Sequence, residues 1–144
     1  MIMENVIIAV KRFKKSHPYR GSNDERMKKF CSLLKVLSWY YQVDEPTLYI
    51  AGIGDNGSTD AYLARVKGFY NQSTNTIGMR IFSVITVLHE FRHLLQYRWS
   101  GIHIIDDKEE DANIWSHLIY KVVYPKNYAR LVANGELNRT RHNI

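Results

Sequence analysis

Cysteine is nearly absent: Cys31 is the single one in 144 residues, which excludes an internal disulfide. Proline is scarce too, at 3, and Pro18, Pro46 and Pro125 each fall where an element would break or begin. No apolar run is long enough to span a bilayer. Glu4 follows Met1-Ile2-Met3 at once, and Val6 to Val10 ahead of Lys11-Arg12 is too short for the apolar stretch of a secretory leader. Repeats, low-complexity tracts and obvious linkers are also missing. These absences lead to the expectation of a cytoplasmic chain with no membrane partner, and of Cys31 as a buried structural thiol. With 45% hydrophobic and 24% charged residues, the composition is globular, and 144 residues suffice for one domain with a useful core.

Negative charge is the minority: 14 acidic residues stand against 20 basic ones, for a net +6. The basic residues gather at Lys11 to Lys15 (KRFKK), at Arg26-Met27-Lys28-Lys29 and at Arg139-Thr140-Arg141. Such a surface can contact nucleic acid or an acidic partner. It is equally a solvated face that aids solubility, and the aromatic-plus-basic motif of a known nucleic-acid module is missing.

Apolar spacing organises the rest. Residues 4 to 15 read as a short amphipathic helix with Val6, Ile7, Val10 and Phe13 on one face. The stretch from Ser16 to Ser22 breaks it. Asn23 or Asp24 then caps a helix to Tyr41, with Met27, Phe30, Cys31, Leu34, Leu37 and Tyr41 along its stripe. Pro46 opens a strand, Thr47 to Ala51, and residues 52 to 60 read as a loop whose Asp55, Asn56 and Asp60 serve turn chemistry, not the spacing of a calcium loop. Ala61 to Tyr70 alternates as a strand, Asn71 to Thr74 turns, and Asn75 to Ile81 returns. Ser83 to Trp99 is a deeply buried helix, Asp106 or Asp107 caps another to Val123, and Pro125 starts a last one to Ala133, ended by Asn134-Gly135. The expected fold is a single α+β domain over residues 1–144. Helices fill 1–45, strands and site helices 46–123, and a helix with a basic tail 124–144.

The chemistry sits in VLHEFRHLLQY, residues 87–97. His89 and His93 are four apart, so on a helix they stack on one face and can meet one ion. Neutral imidazole is a good zinc ligand. Glu90 lies about 100° around from His89, too far to join the pair easily but placed to act on a water as general base. Charged and polar groups in a buried helix need partners, and a metal is a natural one. A catalytic zinc takes three protein ligands and keeps one position open. A third histidine six positions after His93 is excluded, because Trp99 stands there. Glu109 and Asn113 share a face of the following helix, so Glu109 can ligate while Asn113 supports a ligand histidine, and small Ala112 lets the helices approach. Glu110 competes for that place, with Asp106, Asp107 and His103 behind it, and the acidic run is also simply a good helix start.

HEFRH followed by EEDAN resembles the gluzincin arrangement of HExxH with a later ExxA[ND]. More narrowly it is similar to the compact, cytoplasmic ImmA/IrrE-type metallopeptidases, and GFYNQSTNTIGM (Gly68 to Met79) fits their strand, turn and edge strand before the active-site helix. The resemblance covers residues 47 to 120. It implies a zincin-like fold with a small antiparallel or mixed sheet against the HExxH helix, and an edge strand, Asn75, Thr76, Ile77 and Gly78, that pairs with an extended protein or peptide substrate. SprT-like proteases share the strand-then-HExxH layout but use a histidine as third ligand, where Glu109 stands here.

The expected function is zinc-dependent endopeptidase. Zinc would supply a water of lowered pKa and polarise the scissile carbonyl, while Glu90 would carry the proton to the leaving amine. Candidates for the oxyanion donor are His117, Tyr97 and Tyr120. His117 lies about 12 Å along the helix axis from Glu109, and a hydrogen-bonded core or interface role suits the tyrosines better. Arg92 is expected to pair with a neighbouring acid. The alternative is a regulatory protein, binding DNA or a partner on a zincin scaffold with little or no proteolysis. A third reading makes HEFRH a chance pattern and separates His89 from Glu109 in space.

Overall fold

In the computed structural model, which describes residues 2–53, 57–99, 102 and 105–136, the chain starts as a helical hairpin. Helix α1 (Ile2–Lys15) buries Val6, Ala9, Val10 and Phe13, a three- and four-residue spacing that makes one face. Helix α2 (Asn23–Tyr41) is capped by Ser22, one residue before the expected Asn23 or Asp24. The Ser22 hydroxyl accepts from the Glu25 N–H, and the Glu25 carboxylate accepts from the Ser22 N–H, so two free donors are satisfied at once. Its buried face is Phe30, Leu33, Leu34, Leu37 and Tyr41, while Met27 and Cys31 are only half-buried.

Strands β1 (Thr47–Ile50), β2 (Gly68–Asn71) and β3 (Thr76–Met79) form a mixed sheet in the order β1-β3-β2. Strand β3 pairs parallel with β1, Leu48 opposite Ile77, and antiparallel with β2, Phe69 opposite Gly78. The expectation of an edge strand at Asn75 to Gly78 is therefore corrected: β3 is the central strand, with both of its edges engaged. Asn75 has its own structural task, turning the chain at φ 51°. Its carboxamide accepts from Tyr70 Oη at 2.8 Å and donates to Asp44 O and Glu45 O.

The stretch expected to be one strand from Ala61 to Tyr70 instead splits. Helix α3 (Gly57–Leu63) covers its first part, and β2 begins only at Gly68. The apolar alternation misled because Tyr62 and Ala64 are exposed, whereas Leu63 and Val66, three apart, are buried. Asp60 fixes α3 against the sheet, its Oδ1 accepting from Tyr49 Oη at 2.6 Å and Gly52 N at 3.1 Å.

Helices α4 (Val84–Arg98), α5 (Lys108–Val123) and α6 (Pro125–Ala133) complete the described elements. Helix α4 lies between α5 on one side and β2 and β3 on the other, which explains why it buries residues around most of its circumference. Asp107 caps α5, as its sequence suggested, by accepting from Glu110 N. One cluster of buried side chains runs from α1 and α2 through β1 and β3 to α4 and α5. Asp55, Asn56, His103 and the Arg139 to Arg141 cluster lie outside the described residues. Among the described residues no helix is long and apolar enough to cross a membrane.

Candidate metal centre

The start of α4 is held from two directions. The Ser83 hydroxyl accepts from Thr86 N at 3.3 Å, and Tyr19 Oη accepts from Val84 N at 2.9 Å. Two of the four free donors at this helix start are thereby satisfied. Two turns on, His89, Glu90 and His93 are 8%, 1% and 5% exposed.

The two imidazoles face α5 with Nε2 atoms 3.2 Å apart. Glu109, in the first turn of α5, sets Oε1 2.9 Å from His89 Nε2 and Oε2 3.0 Å from His93 Nε2. One donor atom from each of the three residues lies within 4.8 Å of the others. Two nitrogens bound tetrahedrally at 2.0–2.1 Å to one ion would sit roughly 3.3–3.4 Å apart, so the spacing suits a shared cation.

His93 Nδ1 lies 2.7 Å from Gln96 Oε1, and the Gln96 amide nitrogen donates to Lys108 O at 2.8 Å and Asp111 Oδ2 at 2.9 Å. With its NH2 committed to two acceptors, Gln96 presents its oxygen to the ring, and Nδ1 of His93 must carry the hydrogen. Neutral His93 then turns the Nε2 lone pair toward the Glu109 carboxylate. Lone pair against carboxylate is repulsive unless positive charge lies between them: a further proton on the ring, or a metal ion. His89, His93 and Glu109 can hold such an ion.

Glu90, next to His89 on α4, is buried as well. Its Oε2 lies near Gly68 at the start of β2, where an added Cβ would come within 3.3 Å of it and within 2.7 Å of Thr86 Cγ2. Glycine at 68 leaves the room beside this carboxylate. Arg92 does pair with an acid: its Nε and Nη2 donate to Asp111 Oδ2 and Oδ1 at 2.8 and 3.2 Å, and the guanidinium lies 5.4 Å over the Trp115 ring. Burial pushes the Asp111 carboxyl up, but the hydrogen bonds from Arg92 and Gln96 outweigh it and hold the group below the usual carboxylate range.

The supporting candidates fare unevenly. Among the described residues the Asn113 side chain makes no hydrogen bond; Gln96, which the sequence reading passed over, takes the outer nitrogen of His93 instead. Glu110 and Asp106 are exposed, and neither joins the cluster. His117 is half-buried, its ring 6.3 Å from that of Tyr128; burial, then the charges of His89 and Lys67, hold it below its ordinary 6.5. Tyr97 is 49% exposed; its ring stacks on Tyr70 at 6.3 Å under Lys108 Nζ at 4.4 Å, and its hydroxyl makes no hydrogen bond among the described residues. It lines a cleft of about 530 Å3 with Tyr62, Phe69 and Tyr70. Tyr120 is a core residue stacked on Tyr124 at 5.1 Å.

Comparison of the chain with protein-family models, with curated proteins and with solved structures gives no match.

Proposed function

We propose that this chain is a zinc-dependent endopeptidase with a zincin-like, gluzincin-type site, most similar to the ImmA/IrrE-type arrangement. The observation that carries the reading is the convergence of His89, His93 and Glu109 within 4.8 Å, from two helices that sequence spacing alone leaves independent. His89 and His93 offer neutral imidazole nitrogens and Glu109 a carboxylate, the donor set of a catalytic zinc with one position left over. Zinc, when bound, supplies a water of lowered pKa and polarises a carbonyl. Glu90, buried on the same helix but aimed to the β2 side, accepts the proton of the attacking water at its carboxylate and returns it to the leaving amine. Gln96 fixes the tautomer of His93. The substrate is a protein or peptide, and a cytoplasmic setting belongs to the same proposal.

The test is metal content together with turnover. Protein purified without added metal is expected to carry about one zinc per chain, and His89→Ala and Glu109→Ala to lose it. Glu90→Gln is expected to keep the zinc and lose casein hydrolysis by at least about a hundredfold. Zinc held by the wild type and Glu90→Gln and lost from the other two, with no hydrolysis in any, would instead favour a regulatory protein on the same scaffold. Zinc retained in all of them would place the ion elsewhere and overturn the site. No zinc in the wild type after supplementation would sink the reading.

A further inference from the structure

Two basic clusters separated in sequence, Lys11 to Lys15 and Arg26 to Lys29, come together where α1 and α2 pack. Between the helices runs a groove of about 330 Å3. Phe13, Leu33, Val36 and Tyr40 contribute its apolar lining, and Arg12, Lys28 and Lys29 its charge; no acidic residue lines it. The Arg12 and Lys28 side chains make no hydrogen bond or close ion pair with any described residue, and Lys29 Nζ donates to His17 O at 3.1 Å. Lys28 does help, after the Ser22 hydrogen bonds, to lower the pKa of the exposed Glu25 carboxyl beyond the groove. Lys14 also serves the fold: its Nζ donates to Val123 O at 2.8 Å and lies 4.9 Å over the Tyr124 ring. Arg12 and Lys28, at the groove, have no such bond. The apolar strip also continues outward, for Val36 is 42% and Trp39 69% exposed, with Trp39 set edge-on against Tyr40.

We propose that this groove docks an acidic amphipathic helix from a protein partner. An apolar stripe at i, i+3, i+4 and i+7 fills the seam between two helices, and carboxylates beside the stripe meet Arg12, Lys28 and Lys29. Charge complementarity selects this occupant. A second copy of the chain would bring its own net +6 to a basic rim. A nucleic-acid backbone would satisfy the cations but leave the apolar floor uncovered. A bilayer surface does not enter a concave seam. Trp39 and Arg12 are of the residue types that dominate interface energetics.

The experiment titrates the full chain with a designed amidated peptide of roughly five helical turns, Leu along one stripe and Glu elsewhere, against the same peptide with Lys for Glu. The Glu peptide is expected to bind with micromolar Kd and the Lys peptide not at all. Arg12→Glu with Lys28→Glu, and separately Val36→Asp, are each expected to weaken binding at least about tenfold. These side chains are exposed, and an unchanged melting curve verifies the fold. Absence of Glu-peptide binding, or equal binding of both peptides, overturns the proposal. So does tighter binding of a DNA duplex, or of phosphatidylglycerol vesicles, that the same substitutions abolish. The result does not depend on metal content, so it stands apart from the peptidase reading.

Discussion

Gln96 shows how one side chain can decide the state of another. Its amide is fixed by Lys108 O and Asp111 on α5, and through that fixed oxygen it chooses which nitrogen of His93 faces the cluster. Gln96→Ala is expected to weaken zinc binding about 10- to 100-fold, measured by competition with a chromophoric chelator, while the folded fraction by circular dichroism stays unchanged. Retained affinity would show that His93 holds its tautomer without help. His89, Glu90 and His93 were legible in the sequence because their relation is local: a spacing of four on one helix fixes a shared face before anything else folds. Glu109 was legible as a face on a second helix, though its choice over Glu110 needed the packing of α4 on α5. Gln96 was not legible, because its value comes from groups on α5 that no spacing within α4 reveals. Asn113 lies one turn beyond Glu109 on the same helix, but whether that turn reaches an imidazole depends on how the two helices pack.

At the level of elements, the sheet depends on a close approach at its centre. An added Cβ at Gly78 would lie 2.2 Å from the Phe69 ring, which crosses the sheet face under Tyr62. Gly78→Ala is expected to cost about 1–3 kcal/mol through overpacking, read as a lower urea midpoint. In a Phe69→Ala background the cost should shrink, giving clear non-additivity; full additivity would mean the ring already has room to move. Helices α1, α2, α4, α5 and α6 were readable from apolar spacing and caps to within a few residues. Helix α3 was not, since seven residues are too few to display a period and the alternation of Tyr62, Ala64 and Val66 imitates a strand. Strand order was beyond reach as well: the sequence presents β1, β2, β3 in succession, and nothing local says that the last goes between the other two.

For the whole molecule, acid is the condition to test. His117 is held below 6.5 when folded, so as pH falls the unfolded chain takes up this proton first. Stability is thus intact above the unfolded value and is lost as pH drops through the lower folded one. With a chelator present, urea midpoints should fall as pH drops below about 6.5, and His117→Asn should flatten that fall; an unchanged slope would remove His117 from the account. The placement of β3 also matters before the molecule is whole. Strands β1 and β2 touch only through β3, so on the ribosome neither ladder can form until Thr76–Met79 has emerged. Through that interval the nascent chain carries Leu48 and Ile50 on a strand with no neighbour, and a chaperone that grips extended apolar segments has its opening there.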